Sequence, residues 1–145
     1  MPTGIAASSL IFEITETAAI ANINGARQFI EALKSTGCGF ALDDFGVGFS
    51  SLYYLKHLPV DYLKIDGSFV RNLANDVSDQ HLVRSMVELA HGLGKQTIAE
   101  FVEDEATLEL LRRFGVDYAQ GFFVGRPAPI ESTLGVLLSD EAEAA

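Results

Sequence analysis

The strongest constraint on the fold is an alternation that repeats along the chain. Five short apolar runs, "SLIFEIT" (9–15), "GFALDD" (39–44), "DYLKID" (61–66), "QTIAEF" (96–101) and "DYAQGFF" (117–123), are each separated from the next by a longer stretch. The runs are rich in Ile, Leu, Phe and Tyr and bounded by Gly, Asp or Pro, which predicts strands. Residues 23–35 place Ile23, Ala26, Phe29, Ile30 and Leu33 on one stripe at helical spacing. Residues 79–93 do so with Leu82, Met86, Leu89 and Ala90, and residues 104–114 with Leu108, Leu110 and Leu111 before the stop signal Gly115. Shorter helices are predicted at 50–57 and 68–74. Such alternation implies an α/β fold with a parallel sheet and outer helices. Apolar strands of this kind fit burial on both faces.

An open doubly wound sheet and part of a (β/α) barrel both satisfy that pattern. The acids decide between them. Glu13, Asp43, Asp44, Asp66 and Glu100 lie at or near the carboxyl ends of different predicted strands. In a barrel those ends converge on one face, whereas in an open sheet they spread along a crevice. A whole barrel takes about 250 residues, against 145 here. The expectation is therefore a partial TIM-type barrel of about five parallel βα units.

Converging carboxylates cannot all stay ionised without a cation among them. All-oxygen donors suit Mg2+ or Mn2+ better than zinc. The adjacent Asp43 and Asp44 are suited to two metals, and a metal pair is a familiar clamp for phosphodiester hydrolysis. In "YLKID", Lys64 and Asp66 are two apart and share a strand face. The lysine is placed to hold a phosphate oxygen or a nucleophilic water, and Gln120 to offer a neutral hydrogen bond. An isolated Asp at a strand end is more often a helix cap, the plainer reading for Asp66, Asp76 and Asp79. Glu16 and Glu103 also read as first-turn helix acids. A lone Gly-x-Gly in "FGVGF" is more often a turn than a phosphate loop. His57, His81 and His91 lack ligand spacing and read as structural.

The net charge of −10, from 20 acidic and 10 basic residues, argues against binding DNA through a basic face. The single Cys38 reads as a small buried hydrophobe in a reducing, cytoplasmic setting. No secretory signal opens the sequence and no apolar run reaches membrane length, although a longer parent could be membrane-anchored.

"FEITE", "DDFGVGFSSL", "YLKID", "IAEFVE" and "AQGFFVGRP" resemble, in order and spacing, the motifs of EAL domains. These are bacterial phosphodiesterases that linearise cyclic di-GMP to pGpG. The resemblance spans about residues 9–128 and implies that 9–138 is the carboxyl-terminal portion of such a domain. Residues 1–8 would be an extension and 139–145 an acidic tail. It implies Mg2+ or Mn2+ at Glu13, Asp43, Asp44 and Asp66, with Lys64, Glu100 and Gln120 catalytic. Glu16 would anchor the loop after the aspartates, and Glu103 would be a second acid near the site. Phe101 stands where the family motif A-E-G-V-E has glycine, and Val47 and Phe49 replace the usual Thr and Tyr. The family's namesake E-A-L strand, which carries a metal-binding glutamate, does not precede Glu13. The implied function is a cyclic di-GMP phosphodiesterase portion, weakly active or inactive alone. The alternative is an inactive module that senses cyclic di-GMP or binds a protein. Barrel enzymes of the enolase type fit less well, since the DDFG-x-G loop has no role there. Exposed edges imply a homo-oligomer or domain-swapped dimer. An upstream GGDEF or sensor domain is the implied neighbour in a full-length protein.

Overall fold

In the computed structural model, which describes residues 6–46 and 52–126 (backbone alone at 52–54), five strands form one parallel sheet. They are β1 (Ile11–Thr15), β2 (Gly39–Phe45), β3 (Tyr62–Ile65), β4 (Gln96–Ala99) and β5 (Tyr118–Ala119), side by side in chain order. Helices α1 (Glu16–Ala21), α2 (Ile23–Lys34), α3 (Leu52–His57), α4 (Gly67–Val70), α5 (Val77–Gly92) and α6 (Glu105–Phe114) occupy the connections. A doubly wound sheet reverses its strand order at a switch point, and this one does not. Parallel crossovers are right-handed as a rule, and in this strand order that rule puts the helices on one side of the sheet, as in consecutive units of a (β/α) barrel.

Strand alternation divides the side chains between two environments. On the helix side, Phe40, Leu42 and Leu63 pack with Ala26 and Ile30 of α2. Ile65 and Ala99 pack with Val83 and Val87 of α5 and Leu111 of α6. Burial of each large aliphatic chain there contributes roughly 1.5–3 kcal/mol. The pairs Glu13↔Ala41, Lys64↔Ile98 and Ile98↔Tyr118 share the opposite, inner face. That face is open at its flanks, where Ile11 and Tyr118 remain 45% and 50% exposed.

Local chemistry sets the helix limits. The side chains of Thr15, Asn22, Asp76 and Asp104 accept hydrogen bonds from the first turns of α1, α2, α5 and α6. Gly115, at φ 83°, closes α6. The Asp76 cap bears out its reading as a structural residue, and Asp79 sits in the first turn that it caps. Cys38 is buried. No helix among the described residues is long and apolar enough to cross a membrane.

The helix α1 begins at Glu16, as the reading of that residue as a first-turn helix acid expects. Three expectations need correction. The helix expected at 68–74 divides into α4 and a separate turn at Leu73–Asn75. The strand expected at 117–123 stops at Ala119, because the chain turns at Gly121, whose carbonyl accepts from Val124 and Gly125. Finally, α5 buries Val83, Val87 and Ala90, while Leu82 points outward. Ala90 is buried as expected and Met86 and Leu89 pack at the core's edge, but Val83 and Val87 take the central contact in place of Leu82. The helix expected at 50–57 is found in α3 over Leu52–His57; residues 50–51 lie outside the described residues.

The amino ends of the strands are pinned by a repeated device. Asp61, just before β3, accepts from the Phe40 amide of β2, and Asp117, just before β5, accepts from the Thr97 amide of β4. Asp117 also meets His91 at 2.8 Å, which places that histidine in a structural contact. Lys95, buried, donates to the carbonyls of Leu58 and Val60. These amino-end acids and cations hold loops.

Candidate functional site

The carboxyl ends of β1 to β4 carry a different set of charges. Successive strand residues point to opposite faces, so Asp43 and Asp44 would ordinarily be separated by the sheet. A register shift between Leu42 and Phe45 prevents this, and Asp44 takes a left-handed backbone at φ 57°. Aspartate tolerates that region better than most residues, and the Asp44 amide donates to Asp43 Oδ1 at 2.8 Å. The bulge turns both carboxylates toward Glu100, which follows β4. Asp43, Asp44 and Glu100 each offer an oxygen within 4.8 Å of the others.

The repulsion in this cluster shows in its protonation. Burial, then Asp43 and Asp66, raise the Asp44 pKa above the ordinary value. Burial also raises that of Glu100, helped by Asp43 and opposed by Lys64. A divalent cation with hard oxygen preferences would replace the protons these acids otherwise favour. The donor set therefore fits Mg2+ or Mn2+.

Lys64 crosses the inner face beside the cluster. Its ammonium donates to Glu13 Oε1 at 2.6 Å and lies 3.0 Å from Glu100 Oε1, with its side chain only 3% exposed. Burial disfavours its charge, but hydrogen bonds to Glu13 and Glu100 outweigh that and raise its pKa. Glu13 thus lies against the lysine and outside the three-oxygen group. Asp66 also lies outside it: its carboxylate accepts from the Ser68 amide at the start of α4 and bonds to Asp44. Burial works against the charge of Asp66, yet the Ser68 bonds prevail and lower its pKa.

A cleft of about 710 Å3 opens over these groups, lined by Glu13, Asp43, Lys64, Glu100, Glu103 and Gln120. Residues from the "YLKID", "AEFVE" and "AQGFF" motifs therefore meet Glu13 of β1 and Asp43 of β2. Glu103 is exposed and precedes α6, outside a helical first turn. Glu16 is buried in the first turn of α1. The loop it was expected to brace, with Val47 and Phe49, lies outside the described residues.

Phe101 and Phe122 also line the cleft, with Gly121, Gly125 and Arg126. Sequence reasoning gave Phe101 no role beyond a departure from a glycine motif. Its φ of 58° explains why glycine suits that position. Its ring lies where a Cβ on Gly67 would be, 1.9 Å from Cδ2, and the Arg71 guanidinium covers it at 4.2 Å. The signal for this contact was the Gly67 that follows "YLKID". One E-A-L tripeptide, Glu31-Ala32-Leu33, does occur, but it lies within α2, where Glu31 pairs with Arg27.

Comparison with known proteins agrees with the parallel α/β architecture. Cyclic di-GMP phosphodiesterase PdeB of Shewanella oneidensis is 46% identical over 128 residues, which cover 88% of this chain and 15% of that protein. MucR of Pseudomonas aeruginosa, a bifunctional diguanylate cyclase/cyclic di-GMP phosphodiesterase, is 44% identical, with coverage of 88% and 18%. The chain thus spans less than a fifth of the length of these relatives. The PaMucR phosphodiesterase in complex with c-di-GMP superposes with a TM-score of 0.81 at 42% identity, over 90% of this chain and 53% of that one. Klebsiella pneumoniae BlrP1, solved with manganese and cyclic di-GMP, gives 0.78 at 33% identity, over 86% and 32%. The family model described as EAL domain matches residues 2–127, and the chain belongs to the EAL domain family.

Proposed function

We propose that this chain contributes the acidic half of a metal-dependent site that hydrolyses cyclic di-GMP to pGpG. The observation that carries the reading is the Asp43, Asp44 and Glu100 cluster beside a lysine already bound to two glutamates. Asp43, Asp44 and Glu100 would hold Mg2+ or Mn2+, with Glu13 and Asp66 adjoining through Lys64 and Asp44. Bound metal supplies Lewis acidity and lowers the pKa of a nucleophilic water. Lys64 holds the water's oxygen or a phosphate oxygen, and its two carboxylate partners fix where the ammonium points. Glu100, in the acidic cluster and 3.0 Å from the Lys64 ammonium, is placed to take the water's proton. Water adds to phosphorus as the ester bond to the ribose 3′ oxygen breaks, leaving a 5′ phosphate and a 3′ hydroxyl. Gln120, at the end of β5, orients water or substrate through a neutral hydrogen bond. Glu103 is a second acid at the rim, and Glu16 supports the start of α1.

The test is to incubate the chain with cyclic di-GMP and Mg2+ or Mn2+ and resolve pGpG by chromatography. Product that disappears with chelator and in Asp44→Asn supports hydrolysis. Metal-dependent binding without product supports the sensing reading. Absence of both refutes the site.

The open edges at β1 and β5 and the exposed Ile11 and Tyr118 support association with a second copy. Sedimentation at micromolar concentration tests it, and a monomer at all concentrations refutes it. The two activities named for MucR favour a cyclase or sensor domain in the parent protein.

A further inference from the structure

Among the described residues, two that are not glycine take a left-handed backbone, Asp44 at φ 57° and Phe101 at φ 58°. Both belong to or adjoin the acidic cluster. Aspartate tolerates that region better than most residues, whereas a bulky ring there is an outlier. Such strain persists only where the surroundings over-determine it. Burial does not account for it, since Phe101 is 42% exposed.

The contacts of the ring do. It fills the space that a Cβ on Gly67 would need, and the Arg71 guanidinium covers it at 4.2 Å from the centroid. Gly67 opens α4 without a left-handed φ, so its missing side chain serves the ring and not a turn. This contact joins the two sides of the site. On one side Phe101 follows Glu100, and its neighbours are tied down. The Glu100 amide donates to the Ile65 carbonyl at 3.2 Å, and the Val102 amide to the Gln120 carbonyl at 3.0 Å. On the other side Gly67 follows Asp66, whose carboxylate bonds to Asp44. Arg71, at the end of α4, favours the Asp66 charge while it stacks on the ring. Each end of the ring–glycine contact is thus one residue from an acid of the site.

We infer that Phe101, seated on Gly67, is a positioning residue that fixes Glu100 against Asp44 and so pre-forms the three-oxygen metal site. This rests on the reading above, that Asp43, Asp44 and Glu100 hold a divalent cation.

Mn2+ titration of the full chain, followed by electron paramagnetic resonance, tests the inference, with urea unfolding in chelator measured on every variant. Phe101→Gly removes the ring and relieves the backbone, so it should fold yet bind Mn2+ about tenfold more weakly, the lower end of the loss when an outer partner of a metal ligand is removed. Phe101→Ala should weaken Mn2+ binding to the same degree although it is less stable. Phe101→Tyr keeps the ring and should bind as the unaltered chain does. Gly67→Ala should displace the ring and weaken binding as well. Added to Phe101→Gly it should change nothing further, because the alanine then has room. Unchanged Mn2+ affinity in Phe101→Gly overturns the inference. So does an affinity that follows stability across the glycine and alanine variants, or additive losses from Gly67→Ala and Phe101→Gly. Asp44→Asn reports on the metal site itself. If it binds Mn2+ like the unaltered chain, or if the unaltered chain binds none, the underlying reading fails and the inference with it.

Discussion

Replacing Lys64 with methionine removes the ammonium but keeps most of the apolar stem, so the loss is electrostatic and little cavity forms. The two carboxylates left behind differ in exposure. Glu100 is 12% exposed and still faces Asp43, whereas Glu13 is 43% exposed. Stranding a buried charge costs about 3–5 kcal/mol. Water screens the Glu13 arm, whose share is about 1 kcal/mol or less. Partial access at Glu100 places the total near the lower bound, about 3 kcal/mol. Measured by urea unfolding at pH 7 with chelator, that is a large part of the roughly 5–15 kcal/mol of a typical domain. The loss should shrink as pH falls. Burial and Asp43 already raise the Glu100 pKa, and without Lys64 it rises further. The native state then binds a proton that the unfolded chain does not, so stability rises as pH falls through the folded value toward the ordinary one. Lys64→Met combined with Glu100→Gln should recover most of the loss at pH 7. A loss below about 1 kcal/mol that does not vary with pH, or no recovery in the double variant, would refute the charge assignment.

Asp44→Asn should raise the melting temperature in chelator, because Asp44 is destabilised by burial, Asp43 and Asp66. The order should reverse in saturating Mn2+, which at a hundredfold excess over Kd adds about 2.7 kcal/mol to the unaltered chain; scanning fluorimetry reads both. Phe101→Gly should be more stable than Phe101→Ala by about 1 kcal/mol, because φ is 58° there; equal midpoints in denaturant would refute the left-handed assignment. Asp117→Ala should lose about 2 kcal/mol, since Thr97 donates to Asp117 through its amide and hydroxyl. Burial opposes the Asp117 charge, but bonds from His91 and Thr97 lower its pKa, so its contribution is present above the ordinary carboxylate pKa and lost as pH falls through the folded value. The variant's unfolding curve should therefore be flatter on the acid side.

The alternation of strand and helix was legible because it depends on repeated, redundant signals: the apolar runs and the α2 stripe of Ala26 and Ile30. What failed did so where a single contact outweighed the pattern. Leu82 matched a helical stripe, yet the sheet accepted Val83 and Val87, and only the packing partner shows which of two adjacent stripes is buried. Phe122 and Phe123 looked like strand residues, but the approach of Gly121 to Val102, remote in sequence, ended β5 first.

The acids divide along the same line. Their places at strand ends were readable, but an Asp at the start of a strand and one at its end look alike in sequence. Asp61 and Asp117 accept backbone amides of the adjacent strand, so their charge is satisfied without a ligand. At the other end the bulge at Asp44 spends backbone strain, of order 1–3 kcal/mol, to bring like charges together. A fold gains nothing from that expense alone. The same bulge is what makes Asp43 and Asp44 face one point, since an unbroken strand would have sent them to opposite sides. Strain and repulsion meet at Asp44, and a cation held between these carboxylates would offset the repulsion.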